Sequence, residues 1–210
     1  QAHAFKQGRV NGPANGIPGP WFTTHTYLRQ GEFTSKYPPG TSLVMAMVGM
    51  FASIDLTNPL LGTLTLWVIN LLLSQFLSPW PALGSALVLA ANPYYWSYSA
   101  SYFSQPLTLF CLTAATWCWL QARTRKRSLH WRLHLALVGF LPLVRPLDAL
   151  LAVFLFALLS FREGANRRSI QVILAGAGGF ALLIAYFFWL SGEFTLNLKS
   201  NGLDREVYSL

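Results

Sequence analysis

The sequence predicts an all-α protein, a polytopic bundle of transmembrane helices with an external loop and short-helix region at its N-terminus. Hydrophobic residues make up 53% of the 210 residues and charged residues only 10%, whereas a typical soluble domain has about 25% charged residues. The apolar residues are grouped in long blocks, and most cationic residues lie at the ends of those blocks. Both patterns are typical of membrane proteins.

Residues 1–40 form a polar stretch that is rich in Gly, Pro and aromatic residues and has no helical apolar period. We interpret it as an external loop region with one short helix near Ala2–Gln7. The next block, 41–55, is apolar but ends at Asp55, which predicts a short interfacial helix that need not cross the membrane. Because the sequence opens on Gln1 inside a polar stretch, we expect further chain upstream of it.

Four apolar blocks are long enough to span a bilayer, since a helix rises about 1.5 Å per residue and the hydrocarbon core is about 30 Å thick. They are residues 60–78, 80–97, 104–122 and 170–190. The polar residues 191–210 predict a second external loop, so the transmembrane domain extends over 41–190.

The block at 129–161 differs because Arg145, Pro146 and Asp148 interrupt it. It predicts a broken or re-entrant pair, either two tight spans or two short helices that meet at this corner. The short basic segments 123–127 and 162–168 flank the block. Both should be cytoplasmic, so the corner at Arg145 should face the outer side together with residues 1–40.

The net charge of +8 does not indicate nucleic-acid binding, because the cationic residues form no continuous stripe. Cys111 and Cys118 lie in an apolar block and are interpreted as small core residues. His130 and His134 are one helical turn apart, but without a third ligand they do not indicate a metal site. We therefore expect no cofactor and leave a divalent metal ion, which the sequence does not indicate, as an open alternative.

Arg145 and Asp148 are the most informative ionisable residues, because charges at membrane depth are costly and are usually paired or functional. We expect the Arg145 guanidinium to be buried. Either the two side chains form a mutual ion pair at the outer interface, or Arg145 binds a lipid phosphate. Lys36 has two similar interpretations, an interfacial lysine that reaches to the surface or a contact to an anion.

The corner at Lys36, Tyr37, Pro38, Pro39 and Gly40 should be rigid, because two prolines fix φ and remove backbone donors at a helix start. A second outer segment, 94–105, is dense in Tyr, Ser and Trp and ends at Gln105. Its hydroxyls and flat rings suit sugars or lipid headgroups, although an aromatic belt at the membrane interface has the same composition.

Four segments in order carry a family resemblance: SKYPPGTSLVMAM (35–47), NPLLGTLTL (58–66), SASYFSQPLTLFCLTAA (99–115) and LVRPLDALLA (143–152). They resemble the bacterial GT-C membrane glycosyltransferases of the family-39, protein-mannosyltransferase-like group. The opening QAHAFKQGRVNGP is similar to the part of that family's first external loop that follows the catalytic acid.

The resemblance implies a GT-C-like bundle in a bacterial cytoplasmic membrane, with its active site facing the exterior or periplasm. Such an enzyme transfers a sugar from a polyprenyl-phosphate donor to a lipid, glycan or protein acceptor on the outer face. The general base, an Asp or Glu of the first external loop, would precede Gln1.

The resemblance also implies roles for the candidate residues. Lys36 and Arg145 would hold the lipid phosphate, and Asp148 would orient Arg145 or touch the sugar. The family often has His where this chain has Gln105. The remaining residues would shape the pocket, namely Tyr37, Pro38, Pro39 and Gly40.

Two other classes of protein share some of these features. A secondary transporter or lipid flippase would also have broken helices and an intramembrane Arg/Asp pair, but the two halves of this sequence show no convincing repeat. A non-catalytic membrane scaffold would not need ionisable residues gathered on one face.

Overall fold

A computed structural model describes residues 12–13, 26–29, 32–35, 37–124 and 128–191. From Gly40 onward the regular secondary structure of these residues is helical, as predicted. The eight α-helices of the described residues are α1 (Gly40–Val48), α2 (Thr57–Leu73), α3 (Pro79–Ala90), α4 (Pro93–Ser99), α5 (Gln105–Thr124), α6 (Ser128–Phe140), α7 (Pro146–Arg162) and α8 (Asn166–Ser191). Two 3-10 turns accompany them, Ile54–Leu56 before α2 and Leu141–Leu143 after α6.

The region before Gly40 contains a small antiparallel sheet, where the sequence predicted an external loop region without strands. Its strands are β1 (Gly12–Pro13), β2 (Thr26–Arg29) and β3 (Glu32–Ser35), in the order β1-β3-β2. Strands β2 and β3 pair from Thr26↔Ser35 to Arg29↔Glu32. Only two residues separate these strands, and the Thr, Tyr and Phe that they contain favour strands. The predicted helix near Ala2–Gln7 lies outside the described residues.

The block at 80–97, predicted as one span, forms two helices, α3 and α4. The backbone N–H of Tyr94 donates to Asn92 Oδ1 at 2.9 Å, so the Asn92 side chain caps α4, and Pro93 occupies its first turn. This Asn-Pro pair starts a new helix because Asn accepts from orphan amides and Pro needs no partner there. The apolar composition of the block concealed this start signal.

The corner at Arg145 separates α6 from α7. The chain leaves α6 through the 3-10 turn at Leu141–Leu143, and Arg145 is extended, with φ −148°. Pro146 then begins α7. Extended geometry is what a following proline imposes on the preceding residue, so the break follows from the sequence.

The described residues of the two basic segments lie at one end of the bundle. Arg123 Nη1 of α5 is 2.8 Å from Glu163 Oε1, which follows α7. Trp131 Nε1 of α6 donates to Gln171 Oε1 of α8 at 2.7 Å. The α6–α7 corner is therefore at the opposite end, beside the start of α5.

Two helical segments among the described residues are long and apolar enough to cross a membrane, Ile54–Leu73 and Asn166–Trp189. Pro79–Ala90 is a shorter apolar helix. Helix α1 has only nine residues, about 14 Å, which is too short to span. Leu43 and Met47 are exposed along it, while Met45 and Ala46 are buried.

The main core cluster joins α2, α5, α6, α7 and α8. His134 is fully buried at its centre, with Nδ1 3.0 Å from the Ala115 carbonyl and its ring against Trp131 and Phe156. Cys111 is buried without a disulfide and belongs to this cluster, as predicted.

Glycines let α6 and α8 touch through their backbones. A Cβ on Gly179 would lie 2.0 Å from the Gly139 carbonyl oxygen, and one on Gly139 would lie 3.0 Å from the Ala175 oxygen. Close approach through small residues is the usual way that helices pack in membranes.

A second glycine, Gly40, lets α1 pack closely against the α6–α7 corner. A Cβ on Gly40 would lie 2.6 Å from the Leu143 carbonyl oxygen and 2.8 Å from Val144 Cγ2. Only glycine permits this contact, which joins the Pro38-Pro39 corner to the residues just before Arg145.

The α6–α8 contact predicts opposite effects for two adjacent glycines. Gly179→Ala should destabilise the protein by about 1–3 kcal/mol, because the methyl group overlaps backbone that cannot rotate away. Gly178→Ala should be neutral or slightly stabilising, since nothing lies within 4 Å of a Cβ there and Ala favours helix. Thermal unfolding midpoints of the two purified variants in detergent measure these effects. Equal midpoints would contradict the close contact between Gly179 and the Gly139 carbonyl.

The contact between Gly40 and the α6–α7 corner leads to a similar prediction, for which Gly84 provides the control. Gly40→Ala should lower stability by about 1–3 kcal/mol by pushing α1 off the Leu143 carbonyl. Gly84→Ala should raise stability by about 0.5–1 kcal/mol, because Gly84 is helical with open space around it. Unfolding midpoints and protease sensitivity near residue 40 test this prediction. An unchanged stability of the Gly40→Ala variant would contradict the close contact at Gly40.

Candidate functional site

A cavity of about 450 Å³ opens between α2, α4 and the start of α5. Its walls are provided by Gly62, Thr65, Tyr95, Tyr98, Ser99, Gln105, Pro106, Thr108, Leu109, Leu112 and Arg145. The cavity therefore lies at the end of the bundle opposite to Arg123 and Glu163.

Helix α4 forms one wall, because it packs closely against α2. The Tyr95 hydroxyl donates to the Gly62 carbonyl at 2.6 Å. A Cβ on Gly62 would lie 2.7 Å from Ser99 Oγ and 3.0 Å from Ser99 Cβ. The absence of a side chain at Gly62 thus lets Tyr95 and Ser99 line the cavity.

The turn between α4 and α5 is fastened to the start of α2. Asn58 Nδ2 donates to the Phe103 carbonyl at 3.0 Å and also to the Ser101 carbonyl. The Tyr102 hydroxyl donates to Asp55 Oδ1, and this hydrogen bond and the carboxylate's charge raise the pKa of Tyr102. These contacts fix where α5 begins, and hence where Gln105 lies.

Gln105 lines the cavity and has an unused hydrogen-bond acceptor. Its side-chain Oε1 is buried and has no hydrogen-bond partner among the described residues. The neighbouring threonine hydroxyls are occupied, since Thr108 donates to the Ser104 carbonyl at 3.0 Å and Thr65 to the Leu61 carbonyl at 2.7 Å. A buried acceptor without a donor is costly unless a ligand or water supplies one.

Arg145 lies at the rim of the cavity. Its Nη1 is 3.1 Å from Asp148 Oδ2, and the two side chains are 42% and 29% exposed. The expectation that the Arg145 guanidinium is buried was therefore wrong, because the side chain is half exposed. The ion pair expected as one alternative is present. It uses one end of the guanidinium, which has five N–H donors, so other donors can face the cavity.

The other predicted site residues lie next to this rim or outside the described residues. Pro39 and Gly40 are buried, Pro38 is half-buried and Tyr37 is 54% exposed. The Gly40 contact with Leu143 and Val144 places this corner next to Arg145, but none of the four residues lines the cavity. Lys36 lies outside the described residues.

Sequence reasoning identified the Tyr- and Ser-rich segment but missed the α2 wall. Gly62 and Thr65 lie three apart on α2, which places them on one helix face. That spacing and their position within segment 58–66 were the available signals. No group of three His, Cys, Asp or Glu within the described part of the chain could hold a metal ion.

A second, smaller cavity of about 200 Å³ lies on the other side of Tyr95. It shares Gly62, Tyr95 and Ser99 with the first, and the rest of its lining comes from Pro59, Thr63, Leu66, Ala90, Trp96 and Ala100. Its polar side chains bond internally, since Thr63 donates to the Pro59 carbonyl and Trp96 Nε1 to the Ala90 carbonyl. It therefore suits an apolar group.

Comparison with known proteins agrees with the resemblance found in the sequence. The model of one family, dolichyl-phosphate-mannose-protein mannosyltransferase, matches residues 40–189. The match covers well over half of the chain and includes every residue that lines the two cavities. No curated protein and no solved structure gives a significant match. The chain therefore belongs to the dolichyl-phosphate-mannose-protein mannosyltransferase family.

Proposed function

We propose that this membrane glycosyltransferase takes a sugar from a polyprenyl-phosphate donor and transfers it to an acceptor on the outer face of the membrane. The family implies glycosyltransferase activity in general. The observation that supports the finer proposal is the cavity, which is lined by both Arg145 and Gln105, the latter with a buried side-chain oxygen that has no partner among the described residues.

The chemistry of the cavity matches a phosphate-linked sugar. Arg145 supplies cationic donors to a phosphate, and Gln105 accepts a hydrogen bond from a sugar hydroxyl. Tyr95 and Tyr98 supply ring surfaces for the apolar face of the sugar. The smaller cavity beyond Tyr95 is lined mostly by apolar side chains and suits the first isoprene units of the donor.

In the proposed reaction an acceptor hydroxyl attacks the anomeric carbon while the bond from that carbon to the phosphate oxygen breaks. The bonding electrons leave with the phosphate, and Arg145 stabilises the charge that develops there. Asp148 holds the guanidinium in place through its ion pair. No carboxylate lines the cavity among the described residues. The general base of the proposal is therefore the Asp or Glu that the resemblance places ahead of Gln1.

The acceptor, the sugar and the membrane orientation follow from the same proposal. The family's name specifies mannose and a protein acceptor, and we extend both to this chain as its first substrates to test. The basic end of the bundle would face the cytoplasm, and the cavity at the other end would then face the exterior or periplasm. Other spans besides the two apolar segments would be 80–97, which α3 and α4 form together, then α5 and the α6–α7 pair.

The role of Arg145 is tested by substitution in the complete protein. Arg145→Ala should lower sugar transfer by about 100- to 1,000-fold, the usual cost of removing one group that stabilises developing charge. Arg145→Lys should retain part of the activity, because Lys keeps the charge but not the paired donor geometry. Transfer from a radiolabelled polyprenyl-phosphate sugar in membranes measures both.

Two controls make the Arg145 test specific. Asp148→Asn should reduce transfer less than Arg145→Ala does, since it frees the guanidinium without removing it. The amount of protein in the membrane fraction should be unchanged in every variant. Unaltered transfer by Arg145→Ala would remove Arg145 from the site, and a wild-type protein that moves labelled lipid across the bilayer without transfer would favour a flippase.

The role of Gln105 predicts a change in donor binding. Gln105→Leu should raise the KM for the sugar donor by about 10-fold, because a hydrogen bond to a buried acceptor is worth about 1–1.5 kcal/mol. Gln75→Leu is the matched control, since Gln75 is exposed beyond the end of α2 and away from the cavity. Initial rates at varied donor concentration test this, and an equal KM in both variants would exclude the contact.

A further inference from the structure

The positive charge of the chain is concentrated in two short segments, 123–132 and 162–168. They hold eight of the fifteen Lys and Arg residues, namely Arg123, Arg125, Lys126, Arg127, Arg132, Arg162, Arg167 and Arg168. Of the seven acidic residues they hold only Glu163. The rest of the chain is therefore almost neutral.

The fold brings the described residues of these two segments together at one end of the helices. Arg123 pairs with Glu163 at 2.8 Å and lies 5.6 Å from the centre of the Trp119 ring. Arg168 lies 5.3 Å from the centre of the Trp131 ring. These two arginines make contacts within the protein. The first joins the ends of α5 and α7, and the second joins the ends of α6 and α8.

Three further arginines at this end point outward. Arg132, Arg162 and Arg167 are exposed, and none has an ion-pair partner among the described residues. Glu163 is already paired with Arg123. This end therefore presents positive charge that the described part of the protein does not neutralise.

Large apolar side chains are exposed beside these arginines. Leu129, Phe161 and Ile170 are 62%, 60% and 57% exposed, and each lies within three residues of an exposed arginine in the sequence. A surface that meets nucleic acid in water has no need of such side chains. A surface at the boundary between hydrocarbon and headgroups requires both kinds.

We propose that this end of the protein binds the phosphate headgroups of anionic phospholipids. Arg132, Arg162 and Arg167 donate to the phosphates, while Leu129, Phe161 and Ile170 contact the acyl chains. The site is separate from the sugar-donor cavity. Gln105 and Arg123 lie near opposite ends of α5, about 27 Å apart along the helix, so the proposal does not depend on the proposed activity.

The test uses the complete protein purified in detergent and native mass spectrometry with two lipids of the same acyl chains, phosphatidylglycerol and phosphatidylcholine. Phosphatidylglycerol should bind at least about 10-fold more tightly, and salt should weaken the difference because it screens phosphate contacts. The triple variant Arg132→Gln, Arg162→Gln, Arg167→Gln should abolish the difference, while the corresponding triple Lys variant should retain most of it.

A charge-matched control separates a site from a net-charge effect. The triple variant Arg9→Gln, Arg29→Gln, Arg205→Gln removes three cations outside the two segments and should keep the preference for phosphatidylglycerol. Equal binding of the two lipids by the wild type would overturn the proposal. So would a preference that survives the first triple Gln variant, an equal loss in the control variant, or a short single-stranded DNA that displaces phosphatidylglycerol.

Discussion

The organisation of the candidate site depends on one backbone contact, the packing of Gly40 on the Leu143 carbonyl. The double-proline corner fixes the direction in which the chain enters α1. The missing side chain at Gly40 lets that corner lie directly on the turn before Arg145. Pro146 then sets the extended backbone of Arg145. Two rigid proline elements are thereby fixed against each other, and the guanidinium between them has a defined position at the cavity rim.

The position of Arg145 resolves a conflict that the sequence left open. An ion pair with Asp148 and a contact to phosphate were alternatives when each was considered alone. The structure shows the ion pair at 3.1 Å on a guanidinium that is still 42% exposed and lines the cavity. Because a half-exposed pair costs little desolvation and contributes little stability, the pair orients Arg145 more than it stabilises the fold. The two interpretations are therefore compatible.

The sequence predicted the features that local chemistry determines. The helix break at Arg145-Pro146 follows from proline geometry. The positive-inside rule predicted that the two basic segments face the same side. The sheet before Gly40 and the break at Asn92-Pro93 had local signals too, but the loop-like composition and the apolar block concealed them. The wall of the cavity had almost no such signal. Tyr95 reaches the Gly62 carbonyl across 33 residues of sequence, so the contact exists only once α4 has folded back onto α2.

The two ends of the bundle use arginine in different ways, and the difference follows from the acidic residues nearby. At the cavity end, Arg145 has Asp148 one helical turn away, and a single cation is held in one orientation. At the other end, Glu163 neutralises Arg123 alone and leaves exposed cations that no described residue pairs with. A positioned charge suits selective contact with one phosphate, whereas a diffuse group of charges suits a surface of many phosphates. The polarity of the helical bundle thus arises because most of its arginines lie at one end, while at the cavity end Arg145 is paired with Asp148.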